Sequence, residues 1–144
     1  MRPVSIVWFE RLYLGSLILG LLSSVLNWTT IRAATLATPG ASGFIASTTF
    51  IFLTLAFSFG ISALFWYFIA KRGSKVAKWI FTGFFVIGLL GLPATLRNPM
   101  FGPTVTTFAL INILLQLAAV ICLFRPDTHD WFNGRKPADP NVFN

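Results

Sequence analysis

Asn112 and Gln116 stand four residues apart in an otherwise apolar run, Thr104 to Phe124. At that spacing two side chains share one face of a helix. Amides in apolar surroundings need partners. The pair therefore predicts either hydrogen bonds to a neighbouring helix or a polar lining for a lipid or small ligand. Interhelical bonding is the favoured reading, at about 0.6 kcal/mol per bond and up to about 2 in model peptides. Glu10 is the next candidate, the only acid beside an apolar run, with Arg11 as its neighbour. It predicts an ion pair at the membrane boundary, with Arg125 or with a base of the 71–78 loop. The sharper alternative is a proton- or cation-coupled carboxylate.

The remaining reactive groups are few. Cys122 is the single cysteine, so no intramolecular disulfide is possible, and it reads as a small packed hydrophobe. His129 is the single histidine. With Asp127 and Asp130 it makes an incomplete ligand set for a metal and reads as part of a solvated turn. Runs without histidine exclude bis-histidine haem ligation within this chain, and one cysteine excludes dithiol redox chemistry. Catalytic triads, zinc clusters and phosphate loops are missing. The expectation is a protein that is not an enzyme and has no metal or cofactor, lipid being the one small molecule the pattern admits.

The elements that must position these residues are membrane spans. Of 144 residues, 56% are hydrophobic and only 10% charged, where a soluble domain carries about a quarter charged residues. Mean hydropathy is +0.77. A bilayer core of about 30 Å needs roughly 20 helical residues. Spans are predicted at about 5–28, 44–70, 76–95 and 104–124, giving an all-α four-helix transmembrane bundle in a single domain, residues 1–133. An interfacial turn is expected at 126–133 and a polar, disordered tail at 134–144. Glu10 and the length of the first apolar stretch argue against a cleaved signal peptide.

Charge sets the expected orientation. Arg2, Arg11, Lys71, Arg72, Lys75, Lys78, Arg125, Arg135 and Lys136 fall on one side of a four-span chain, and only Arg32 and Arg97 on the other. The excess of bases marks the cytoplasmic side, so both termini are expected there. The bases flank apolar runs and form no stripe with interleaved aromatics, which excludes nucleic acid as a partner. Trp8, Trp28, Trp66, Trp79 and Trp131 fall near span ends, where an indole suits the headgroup boundary. With Arg2 and Arg125 they form the expected interface anchors.

Both ends carry one pattern, Arg-Pro-x-x-x-x-Trp-Phe, at Arg2–Phe9 and at Arg125–Phe132. Proline suits the first helical position and pushes its predecessor out of helical angles. Pro126 should therefore open a short new turn, with Asp127 near its positive end. The first span presents Tyr13, Ser16, Gly20, Ser23, Ser24 and Asn27 on one face, and the second Ser47, Thr54, Ser58 and Ser62. Such small faces allow close helix approach. The expectation is that the faces of spans one and two meet, with the amides of span four bonding into that seam.

The segments "RPVSIVWFERLYLGSLILGLL", "KRGSKVAKW" and "CLFRPDTHDWF" together resemble small uncharacterised bacterial inner-membrane proteins with four spans and a terminal "LFRPDxxxWF"-like segment. The resemblance implies an inner-membrane location and no activity, substrate or cofactor. The expected function is a structural or accessory protein, self-associating or joined to other membrane subunits, with membrane lipids as further partners. The alternative is a small transporter or a lipid- or ligand-binding protein using Asn112, Gln116 and Glu10.

Overall fold

The computed structural model describes residues 2–37, 47–99 and 101–133. Every regular element among the described residues is helical: α1 (Val4–Leu26), α2 (Trp28–Leu36), α3 (Thr48–Trp66), α4 (Lys75–Arg97), α5 (Pro103–Leu123) and α6 (His129–Asn133). A π-helical turn, Tyr67–Lys71, prolongs α3, and a 3-10 turn, Pro126–Thr128, precedes α6. Four helices are long and apolar enough to cross a membrane: α1, α3 with its π turn, α4 and α5, of 21 to 24 residues each. At 1.5 Å per residue that length matches a hydrocarbon core of about 30 Å. The chain is an all-α, multi-pass membrane protein.

Local chemistry explains the boundaries. Ser47 and Ser74 cap α3 and α4, their hydroxyls accepting from the amides of Phe50 and Ala77. Proline opens α5 and the 3-10 turn, and Arg125 before Pro126 is extended, as the ring of a following proline requires. The first span stops at Leu26 instead of running to Trp28. Asn27 leaves helical angles and donates from Nδ2 to the Ser23 carbonyl. The chain then resumes as α2, an element whose polar "TTIR" stretch gave no span signal. The start expected for the second span, residue 44, and the tail 134–144 lie outside the described residues.

α1 packs most extensively along α5, α4 also lies on α5, and α3 touches α1 and α4 more lightly. The small face of α1 therefore serves α5. A Cβ added at Gly20 would stand 3.4 Å from Asn112 Nδ2 and 3.8 Å from the Phe59 ring. The expected seam between the first two spans is thus realised only in part, through Tyr13 and Ser62, while α5 is the closer partner of this face. In lipid, burial gives no rotational preference to an apolar helix, so close approach and polar bonds decide which faces meet.

The tightest packing gathers at the end of the bundle that carries residues 2 and 133, here termed the terminal end. Phe9 stacks on Tyr13 at 5.4 Å between centroids, and Phe81 stands edge-on to both at 6.0 and 5.1 Å. Ile6, Ile69, Leu123 and Phe132 complete that core. Elsewhere most apolar side chains of α3, α4 and α5 face outward, as a lipid-embedded surface requires.

The C-terminal segment closes over this end. Asp127 Oδ2 accepts from the Ser5 amide of α1 at 3.2 Å, so it satisfies an orphan donor of the first helix. The Thr128 hydroxyl contacts the carbonyls of Arg125 at 2.7 Å and Leu123 at 3.0 Å. Trp131 Nε1 donates to the Ile69 carbonyl, within the π turn, at 3.3 Å. Lys78 Nζ lies 4.0 and 4.9 Å from the ring centroids of Phe124 and Phe132, cation–π distances. Desolvation alone would raise the Asp127 carboxyl. Its hydrogen bonds with Ser5 and the nearby Arg125 charge prevail and hold it below its ordinary value.

A carboxyl depressed in the folded state stabilises above its unfolded pKa, about 3.9, and that contribution fades as pH falls through the lower native value. Amide exchange of Ser5, corrected for its intrinsic pH dependence, is accordingly expected to accelerate below about pH 4. In the Asp127→Asn variant, Ser5 should exchange faster already at neutral pH and show no step in that window.

Candidate functional site

The polar centre of the bundle is built from the two amides of α5. Asn112 Nδ2 donates to the Ser16 carbonyl of α1 at 3.0 Å, and Gln116 Nε2 donates to Asn112 Oδ1 at 2.9 Å. The two side chains form a relay running from α5 into the backbone of α1. The interhelical reading of the pair is thus realised in the geometry, with α1 alone as acceptor. The Tyr13 hydroxyl bridges α1 to α3 by donating to the Ser62 carbonyl at 3.0 Å.

Most of the small polar residues turn inward to their own helices. Ser24 donates to Gly20, Ser62 to Ser58 and Thr54 to Phe50, each to the carbonyl four residues back. Ser16 Oγ and Trp66 Nε1 are buried without a hydrogen-bond partner among the described residues. Nothing in the structure accounts for either.

Loose packing of α3 leaves space inside the bundle. A cavity of about 430 Å³ lies among α1, α3, α4 and α5, walled by phenylalanines such as Phe65, Phe81 and Phe84, with Ser58 and Gln116 among its polar walls. A second, of about 290 Å³, reaches toward the far end past Gly20, Asn112 and Thr95. Gly88 and Ile113 line both. A third, of about 350 Å³, lies between α3 and α4 near the terminal end and shares Ile61 and Phe65 with the first. The first is of the size and character of a small-molecule pocket, apolar with few polar groups.

Glu10 lies apart from these spaces. Its carboxylate meets Arg2 Nη1 at 2.9 Å and Lys71 Nζ at 3.2 Å. Of the two expected partners, the base of the 71–78 loop is realised as Lys71 and Arg125 is not; Arg2, just ahead of α1, is the second cation. Arg125 sits on the far side of Pro126, where its charge acts on Asp127. Of the interface tryptophans, Trp8 and Trp79 are exposed, and Trp28 and Trp131 are partly buried. Trp66 packs against the core with Lys71 Nζ 5.4 Å from its ring centroid. No group of three or more metal-ligating side chains occurs among the described residues.

Sequence reasoning had the amide pair, the glycine and the hydroxyl faces. It missed the π turn, the partnership of Asp127 with Ser5, and the cavities. None has a local signature, since each depends on residues distant in the chain. Fold and site together define a class, the multi-pass helical membrane protein with an apolar, amide-braced interior. No protein-family model, curated protein or solved structure matches the chain.

Replacing Asn112 by valine removes the link between α5 and α1 and leaves Gln116 without its acceptor. The expected loss is about 1–2 kcal/mol of bundle stability, two interhelical-type bonds' worth. Gln116→Leu, which leaves the Asn112–Ser16 bond in place, should cost less than half as much. Unfolding in mixed detergent, followed by helical circular dichroism, checks the order.

Proposed function

We propose that this chain is a non-catalytic accessory or structural protein of a bacterial inner membrane, with both termini in the cytoplasm. It works by self-association or by joining a larger membrane complex. The observation that carries this reading is the engagement of its polar groups. The amide pair braces two helices, Tyr13 braces a third, and Glu10 sits in an ion cluster at the bundle end. A carboxylate committed to two cations at one end is poorly placed to carry a proton or ion through the interior. The uneven charge of the connecting segments supports the orientation.

Native mass spectrometry of chain released gently into nanodiscs tests the reading. An oligomer or a complex of fixed stoichiometry is expected, and a partner-free monomer under every mild extraction would overturn it. A small-ligand or transport role is the second reading, favoured by the 430 Å³ cavity and its Gln116 wall. It requires that apolar replacement of Asn112, Gln116 and Glu10 change uptake or ligand binding in folded protein.

A further inference from the structure

The α3–α4 crevice at the terminal end and the main cavity lie one above the other along α4, and together they would make a track whose position points to an occupant. The terminal-end crevice is walled by Leu64, Phe68, Ala77 and Ile80, and Ser74 stands at its foot. It shares the Ile61 and Phe65 walls with the main cavity, which reaches Gly88; the Phe65 ring, 6.1 and 5.9 Å from those of Phe81 and Phe84, must turn aside for the two spaces to join. Along α4, Ala77 to Gly88 is eleven residues, about 16 Å at 1.5 Å per residue. Half of a hydrocarbon core of about 30 Å has that depth. The track therefore begins at the level of the headgroups and ends near the bilayer centre, the span of one acyl chain in one leaflet.

Its foot is positively charged. Arg72, just after the π turn, and Lys75, the first residue of α4, stand on either side of Gly73 and Ser74, and both are exposed. Among the described residues neither forms an ion pair. Of the acids at this end, Glu10 is taken by Arg2 and Lys71, Asp127 holds the Ser5 amide, and Asp130 stands 3.9 Å from His129. Arg72 rests its guanidinium 5.8 Å from the Tyr67 ring centroid, which leaves its donors free. Two uncompensated cations above a leaflet-deep apolar slot complement a molecule with one anionic head and a long apolar tail.

We propose that the α3–α4 cleft is a binding site for an anionic phospholipid, its phosphate held by Arg72 and Lys75 and one acyl chain lying along the cleft to Gly88. A zwitterionic lipid offers the same tail, but its ammonium opposes the two bases, so the head supplies the selectivity. The site stands whether or not the chain has a protein partner.

The test uses the full chain in nanodiscs of phosphatidylcholine and phosphatidylglycerol at equal mole fraction, with retained lipids counted by native mass spectrometry. Wild type should retain one phosphatidylglycerol with roughly thirtyfold preference, as expected for two bases at the membrane surface. Arg72→Gln with Lys75→Gln changes only exposed side chains, one in the turn and one at the start of α4, and should bring the preference close to unity. Gly88→Leu fills the inner end of the track, where a Cβ meets nothing within 4 Å. It should reduce retention of both lipids while thermal unfolding stays near wild type. If Gly88→Leu unfolds the chain, Ile61→Trp serves the same purpose from the α3 side. Equal retention of the two lipids by wild type, a preference untouched by the double variant, or a dimer that closes the cleft and excludes lipid would each overturn the proposal.

Discussion

Replacing Gly73 by valine is expected to undock the C-terminal segment and to cost about 3 kcal/mol, combining the left-handed penalty of roughly 1–2 kcal/mol with a lost hydrogen bond of about 1. Gly73 has φ +58°, the left-handed conformation in which the chain leaves the π turn for α4. A Cβ there would lie 2.8 Å from the Trp131 carbonyl oxygen and 3.2 Å from its indole nitrogen. The obstacle is backbone, so a side-chain rotation does not relieve it. Undocking frees Trp131 from the Ile69 carbonyl and uncovers Phe132, buried in the folded chain. Chymotryptic cleavage at Trp131 and Phe132 should become rapid in the variant and stay slow in wild type. Asparagine tolerates the left-handed conformation better. Its Cβ meets the same carbonyl, so Gly73→Asn should rescue little.

Phe9→Ala is the second large effect. Phe9 is fully buried, stacked on Tyr13 and edge-on to Phe81. In water such a truncation costs a transfer term plus a cavity term. Within lipid the transfer term largely vanishes, because the unpacked side chain meets hydrocarbon too. What remains is the cavity, roughly 100 Å³ at about 24 cal/mol per Å³, or about 2 kcal/mol. Phe57→Ala, at a position 70% exposed on α3, opens no closed cavity and should be near neutral. Reversible unfolding of the two variants side by side separates packing from hydrophobicity. Similar losses at both positions would contradict the location of the core.

Why the spans were legible and their partners were not follows from the solvent. Runs such as Thr104–Phe124 declare themselves because a bilayer tolerates few charges. The same runs are apolar on all sides, and a helix apolar all round gives no stripe to say which face turns inward. Only residues with hydrogen bonds to satisfy carried that information. Asn112 and Gln116 pointed to an interhelical contact, and the contact exists. Its target on α1 depended on Gly20 admitting the Asn112 side chain, which no spacing rule ranks above the equally small faces of α3. Local chemistry places Asp127 at the head of its own turn, and it stands there. It also serves the head of α1, 122 positions away in the chain, because folding brings a donor that is otherwise unsatisfied within its reach.

That bond also bears on the order of assembly. Ribosomes deliver Ser5 first among its partners and Asp127 last, so the opening helix enters the membrane with an amide waiting for a residue not yet synthesised. Until the closing segment emerges, the aromatic cluster around Phe9 lacks its Phe132 lid. A nascent chain stalled before residue 127 would therefore present an unfinished bundle end, a natural handle for the proteases that clear incomplete membrane proteins.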